Sequence, residues 1–106
     1  TVVTRAAGLA LTKVLAGECA PHNVLVNALL VGLIKSGQWE RAYAARKPDQ
    51  SLEDFLQGMS DARNIPMGRI GETEEFANTA CFLASDAAGY ITGTAINVDG
   101  GNSPVV

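Results

Sequence analysis

The sequence has few of the residues from which metal and disulfide sites are built. It contains two cysteines, Cys19 and Cys81, and one histidine, His22, among 106 residues. The cysteines lack the CxxC spacing of a zinc site, and no cluster of histidines accompanies them. We therefore expect no metal site, two reduced core thiols and a solvated His22.

Charge and long apolar runs are also scarce. Charged residues make up 18% of the chain and the formal net charge is -3, so the composition does not favour nucleic acid or acidic lipid as a partner. The longest apolar run, residues 24–34, contains Asn27 and is shorter than the roughly 20 residues of a membrane span. The first residues show no secretory signal. We expect a globular, cytoplasmic protein that binds neither nucleic acid nor membranes.

The first third of the chain predicts a helix followed by a strand. Residues 1–19 lack proline, and apart from one polar stripe their helical surface is almost wholly apolar or small. Such a helix is expected to be buried from more than one side, against a sheet and a partner helix. Residues 24–31 form a nearly continuous apolar run of strand length, which is typical of a parallel strand covered on both faces.

The remaining sequence predicts three helices and one more strand. Two short helices are separated at Pro48 and lie in a polar insertion, residues 37–69, on the substrate side of a binding site. Glu74 and Glu75 suit the first turn of the third helix, because the amino-terminal end of a helix is partly positive. Asp99 begins a turn with two glycines that closes the last strand. The predicted helices are residues 38–47, 51–63 and 73–84, a short helical piece falls within 85–93, and the strand is 94–98.

Buried strands that alternate with helices predict the α/β class. Two strands cannot complete a doubly wound sheet, because each parallel strand needs neighbours on both sides and helices on both faces. The GxGxxG-like turn that normally opens a dinucleotide-binding domain is absent from these residues. We therefore expect one partial domain over residues 1–106, the C-terminal half of a Rossmann-like doubly wound parallel sheet.

Several motifs in one register resemble the short-chain dehydrogenase/reductase family. The family pattern runs approximately YxxxKAAxxxLTKxLAxExAPxxIRVNxxxPGxIxT and continues into a C-terminal signature. The likeness extends from the first residue to about Gly101. The matching stretches are TVVTRAA at 1–7, LTK at 11–13, VLVN at 24–27, GLIKS at 32–36, IPMGR at 65–69, GETEE at 71–75, FLASD at 82–86, YITG at 90–93 and VDGG at 98–101.

The resemblance implies a cofactor, a substrate class and an assembly. The cofactor would be NAD or NADP, the substrate a small molecule with a hydroxyl or carbonyl group, and the protein a homo-oligomer, a dimer or tetramer. Gly32, Ile34 and Ser36 would hold the nicotinamide end, beyond the carboxyl end of a strand where α/β sheets bind ligands. Asn27 would order the backbone near the active site. Trp39 would contact substrate, although the aromatic residues of the insertion, Trp39, Tyr43 and Phe55, could instead cover the core.

The same register places Thr1 at the family's catalytic tyrosine and Arg5 at its lysine, and Val31 at a proline. A phenol has a pKa near 10 and can be tuned toward neutrality, whereas an aliphatic alcohol is a far weaker acid. Thr1 can therefore donate a hydrogen bond but does not readily shuttle a proton. Arg5 keeps the positive charge and can bind ribose hydroxyls, but it does not release its proton.

Two functional interpretations remain open at this point. In the first, the protein is an NAD(P)-dependent oxidoreductase with atypical catalytic residues, Thr1 and Arg5. In the second, it is a non-catalytic relative that serves in binding or oligomer assembly. A third interpretation is that these residues are a remnant without independent activity. A structurally neutral interpretation also exists for the pair itself, namely an exposed helix start with a solvated arginine.

Overall fold

The computed structural model describes residues 1–46 and 49–105. Four α-helices and two β-strands account for its regular structure in these ranges, together with 3-10 turns at Ala20–His22 and Asp86–Ala88. The predicted break at Pro48 lies outside the described residues. The elements are α1 (Val2–Cys19), β1 (Ala28–Val31), α2 (Gly37–Arg46), α3 (Leu52–Arg63), α4 (Thr73–Leu83) and β2 (Ala95–Val98).

Local sequence explains where α3 begins and ends. The Ser51 hydroxyl precedes the helix and accepts a hydrogen bond from the Asp54 N–H at 3.1 Å, which satisfies one of the unpaired donors of the first turn. Asn64 ends the helix in the left-handed conformation, with φ 50°. The prediction of a helix over residues 51–63 is therefore confirmed to within one residue.

The two strands form a parallel pair, as the α/β expectation requires. The Ala28 N–H donates to the Thr94 carbonyl at 2.9 Å, and the Gly32 N–H donates to the Val98 carbonyl at 3.0 Å. Both bonds join residues 66 positions apart, and this constant offset is the mark of parallel pairing.

The first strand begins four residues later than the apolar run predicted. Both backbone and side chains hold the preceding residues: the Val26 carbonyl accepts from the Gly93 N–H at 2.7 Å, and the Val26 N–H donates to the Thr92 hydroxyl at 3.0 Å. The Asn27 amide donates to the Ile91 carbonyl at 2.9 Å, and its oxygen accepts from the Thr94 N–H and hydroxyl at 3.1 and 2.8 Å. Asn27 thus makes three side-chain hydrogen bonds at the amino end of β1, whereas Gly32 follows the carboxyl end of that strand.

Burial is lower than the sequence predicted, and three expectations need correction. In α1 only Ala16 is buried, while Val2 and Val3 are each 80% exposed. In β1 the residues are half-buried and Val31 is 62% exposed. An apolar surface predicts burial but does not identify the segment that buries it. In the described part of the chain, β1 has one neighbouring strand. Cys81, expected as a core thiol, is exposed.

The structure forms two compact units. The first comprises Thr1–Leu30 and Asn78–Ile96, and the second comprises Val31–Ala77 and Asn97–Val106. In the first unit the Lys13 ammonium donates to the Gly93 carbonyl at 3.3 Å. The second unit contains the main apolar cluster, which consists of Phe55, Leu56, Ile65 and Ile70.

Within residues 1–46 and 49–105, no helix combines the length and hydropathy that crossing a membrane requires.

Candidate functional site

The residues at the family's acid-base positions open α1 in the first unit. Thr1 precedes the helix, and its carbonyl accepts hydrogen bonds from the Arg5 N–H at 3.0 Å and from the Thr4 hydroxyl at 2.8 Å. The Thr1 hydroxyl does not cap the helix. Thr1 and Arg5 are both exposed, and in the described ranges the ion pairs are Lys35–Glu72 and Arg69–Glu75, so Arg5 has no acidic partner there.

Gly32, Ile34, Ser36 and Trp39 lie in the second unit. Gly32 has a packing reason to be glycine that is independent of any cofactor. A Cβ at this position would come within 2.5 Å of Asp99 Cα and 2.5 Å of Asp99 Cβ, well inside van der Waals contact. The close approach lets the end of β1 pass directly beside the turn that follows β2.

Ile34 forms an isolated parallel bridge with Gly71. The Gly71 N–H donates to the Leu33 carbonyl at 2.9 Å, and the Lys35 N–H donates to the Gly71 carbonyl at 2.8 Å. In this pattern the polar backbone groups of Ile34 itself face away from Gly71. Across residues 1–46 and 49–105, neither the N–H nor the C=O of Ile34 has a hydrogen-bond partner.

Ser36 connects this segment to α2. Its carbonyl accepts hydrogen bonds from the Trp39 N–H at 3.0 Å and the Glu40 N–H at 3.3 Å, so Ser36 starts the helix through its backbone. The residue is exposed, which leaves its hydroxyl accessible to a ligand. Ser36 therefore presents a donor at the point where the chain leaves the strand.

The aromatic residues of the insertion cover the core. Trp39 and Tyr43 are partly buried and pack against the cluster that contains Phe55. The rings of Tyr43 and Phe55 lie 5.6 Å apart in a tilted arrangement, and the Tyr43 hydroxyl donates to the Gln50 carbonyl at 2.6 Å. The structure shows the packing role, and contact of Trp39 with a substrate stays a prediction.

An ion pair that the sequence did not reveal stands at the start of α4. Arg69 donates two hydrogen bonds to the Glu75 carboxylate, at 2.8 and 2.7 Å, and the same carboxylate accepts the Glu72 N–H at 2.8 Å. The Arg69 guanidinium, followed by the Glu72 N–H, lowers the pKa of Glu75 to about 2. Glu75 was expected only to suit the helix dipole. Glu75 lies six positions after Arg69, beyond a non-helical segment, so no helical spacing rule identifies the pair.

A cavity of about 260 Å³ adjoins Ile34 in the second unit. Its charged lining groups already have partners: Arg69 bonds to Glu75, and the Asp99 carboxylate accepts the Gly101 N–H at 3.0 Å and the Ser103 N–H at 2.8 Å. Among the residues that the structure describes, no group of three or more histidine, cysteine or acidic side chains is placed to hold a metal ion.

A family model and curated relatives match most of the chain. A family model described as enoyl-(acyl carrier protein) reductase matches residues 1–103. The chain is 41% identical to 3-oxoacyl-(acyl-carrier-protein) reductase FabG of Aquifex aeolicus over 98 residues, which cover 92% of this chain and 35% of that protein.

Solved structures resemble the chain over nearly its whole length. One is the NADPH-bound structure of a short chain oxidoreductase from Pseudomonas aeruginosa PAO1 that contains an atypical catalytic center; it has a TM-score of 0.86 and 36% identity, over 98% of this chain and 38% of that one. Another is L-sorbose reductase from Gluconobacter frateurii complexed with NADPH and L-sorbose, with a TM-score of 0.83 and 35% identity, over 98% of this chain and 40% of that one.

The chain thus spans between 35% and 40% of the length of these relatives. The expected α/β class with a Rossmann-like parallel sheet is confirmed by the strand pairing and by these structural neighbours. The matched family model and the relatives agree with the ordered motifs of the sequence. The chain belongs to the short-chain dehydrogenase/reductase family.

Proposed function

We propose that this chain is the C-terminal part of an NAD(P)-dependent oxidoreductase that acts on a hydroxyl or carbonyl group of a small molecule. The observation that carries the proposal is the likeness, at a TM-score of 0.86 over 98% of the chain, to an oxidoreductase structure that contains NADPH. The relatives are two to three times longer than this chain, and the phosphate-binding turn of the domain would come from residues other than these.

The segment after β1 fits the nicotinamide end of the cofactor. A carboxamide has one carbonyl acceptor and two N–H donors, so it needs a donor and an acceptor from the protein. Within the described ranges, the N–H and C=O of Ile34 are unpaired, and the Ser36 hydroxyl is accessible. When bound, the cofactor supplies or accepts the hydride. Gly32 permits the strand end to lie against Asp99, which brings Ile34 and Ser36 to their positions.

Thr1 and Arg5 carry the remaining roles. Arg5 binds the ribose hydroxyls of the cofactor, since its guanidinium offers several donors and is unpaired in the described ranges. Thr1 donates a hydrogen bond to the substrate oxygen, while water or another residue supplies the proton. Trp39, which is half-buried and packs on the core, contacts the substrate through its exposed part. The protein is a cytoplasmic homo-oligomer, a dimer or tetramer, and exposed apolar side chains on α1 support such an assembly.

The first test uses the full-length protein with NADH and NADPH against a panel of carbonyl compounds. We expect oxidation of one cofactor in the presence of a carbonyl substrate. The Arg5→Ala variant should weaken cofactor binding about tenfold or more, because hydrogen bonds to a charged group contribute about 1.5–3 kcal/mol. The control is Arg63→Ala, an exposed arginine of α3 in the other unit. Turnover in a Thr1→Ala variant equal to that of the unmodified protein would remove Thr1 from the mechanism.

A non-catalytic role is the second candidate. It is favoured by the simultaneous replacement of the tyrosine and lysine of the family pattern by Thr1 and Arg5, both of them exposed. In this case the unmodified protein binds the cofactor without turnover, and the double change Thr1→Tyr with Arg5→Lys creates dehydrogenase activity. Turnover by the unmodified protein rejects this second candidate.

A further inference from the structure

Three hydrogen bonds attach the segment after β1 to the start of α4. Two of them join Leu33 and Lys35 to Gly71, at 2.9 and 2.8 Å. The third comes from a side chain: the Thr73 hydroxyl donates to the Lys35 carbonyl at 2.8 Å. The donor and the acceptor are 38 positions apart in sequence, so no local motif predicts the contact.

Peptide planarity turns these bonds into constraints on the neighbouring residues. In a trans peptide, the C=O of one residue and the N–H of the next lie in one plane and point in opposite directions. The bond to the Leu33 carbonyl therefore orients the Ile34 N–H, and the bond from the Lys35 N–H orients the Ile34 C=O. By the same reasoning, the Thr73 hydroxyl orients the Ser36 N–H through the Lys35 carbonyl.

The attachment point is itself held in place. The Glu75 carboxylate accepts hydrogen bonds from the Glu72 N–H at 2.8 Å and from two nitrogens of the Arg69 guanidinium. These bonds restrain the backbone on either side of Gly71. A Cβ at Gly71 would come within 2.6 Å of the Ile34 Cδ1 atom, so the two segments are in tight contact. Thr73 thus donates its hydrogen bond from a helix start whose preceding residues are held by hydrogen bonds.

We propose that Thr73 is a positioning residue for the nicotinamide end of the cofactor, acting through the Lys35 carbonyl on the peptide that carries the Ser36 N–H. The inference rests on the proposed function, in which this segment meets the nicotinamide carboxamide. Thr73 does not touch the cofactor. It selects the peptide orientation that the carboxamide encounters, and so reduces the ordering cost of binding.

The test compares a cofactor with its fragment that lacks only the nicotinamide ring. Isothermal titration of the full-length protein measures NADPH against 2′-phospho-ADP-ribose, or NADH against ADP-ribose if the protein prefers that cofactor. In Thr73→Val we expect cofactor affinity to fall about fivefold to tenfold, as for the loss of one hydrogen bond. Fragment affinity should stay unchanged, and Thr73→Ser, which keeps the hydroxyl, should restore cofactor affinity.

Thr12→Val is the matched control, because the Thr12 hydroxyl bonds to the Gly8 carbonyl within α1. It should change neither affinity. Equal losses for cofactor and fragment in Thr73→Val would mean a general loss of structure and would overturn the inference, as would an unchanged cofactor affinity. If the unmodified protein binds neither the cofactor nor its fragment, the proposed function is contradicted as well. Equal losses, or an unchanged cofactor affinity, contradict only the role of Thr73.

Discussion

The hydroxyl of Ser60 is buried in α3 without a partner. Ser60 is 1% exposed, and its Oγ atom has no hydrogen bond in the described part of the structure. An unsatisfied buried hydroxyl costs about 1–3 kcal/mol, and serine is also a weaker helix former than alanine. The side chain therefore subtracts from stability.

We expect Ser60→Ala to raise the free energy of unfolding by about 1 kcal/mol, since it removes the unpaired hydroxyl and improves helix propensity. Urea denaturation measures the change. Ser51→Ala on the same helix is the matched control of opposite sign, because it deletes the bond to the Asp54 N–H and should lower stability by about 1 kcal/mol. A destabilised Ser60→Ala variant would show that the hydroxyl has a partner.

Single residues also mark where the sequence was informative. The register placed Thr1 and Arg5 one turn apart at the start of a helix, and α1 does begin there. Whether they act on a substrate stays a prediction. Thr73 was missed, because its hydrogen bond with Lys35 depends on the fold and on no local spacing.

At the scale of elements, starts and ends followed from local chemistry better than burial did. Helix α3 begins after a capping serine, and α4 begins at Thr73 with acidic residues in its first turn, as the sequence predicted. The predicted start of β1 was wrong. An apolar run does not show whether its residues pair in a regular ladder or are held by side-chain hydrogen bonds such as those of Asn27 and Thr92. The predicted burial of α1 was wrong, because no segment among the described residues covers its outer face.

The first turn of α4 makes a prediction about acid stability. Glu75 has a pKa of about 2 in the folded chain, below the ordinary value of 4.5, because of Arg69 and the Glu72 N–H. A lowered folded pKa means that the contribution to stability is present above pH 4.5 and disappears as the pH falls toward 2. We expect Glu75→Gln to be less stable than the unmodified protein at pH 6 and to lose that difference by pH 2.

Thermal melts from pH 7 to about pH 2 measure this difference. In Arg69→Met the pKa of Glu75 should lie closer to its ordinary value, since the guanidinium is the largest cause of the low pKa. The pH range over which Glu75 contributes to stability should therefore become narrower. The double variant should resemble Glu75→Gln alone. A Glu75→Gln variant whose loss of stability is the same at every pH would contradict the assignment.

At the scale of the whole molecule, the exposed surface of α1 is the main unexplained feature. Val3, Ala7, Ala10 and Val14 share one face at helical spacing and are all exposed, with Val3 at 80% and Val14 at 56%. A contiguous apolar face of this kind is typical of a contact surface. Its position on a helix without proline suits packing against another helix.

We expect this stripe to contribute to self-association of the full-length protein. Val14→Lys should raise the dissociation constant about tenfold or more, because it removes apolar burial of about 1.5 kcal/mol or more per contact and adds a charge. Sedimentation velocity over a concentration series measures the change. Ala62→Lys, which adds the same charge at an exposed position of α3, is the control. An unchanged dissociation constant in Val14→Lys would place the contact elsewhere.

The close approach of Gly32 to Asp99 couples two positions that are far apart in the sequence. Because the Asp99 backbone occupies the space that a Cβ at position 32 would need, alanine there is tolerated only if the turn after β2 moves. Substitutions at the two positions are therefore expected to covary: descendants of this sequence that lose the glycine should also carry an altered or lengthened turn near position 99.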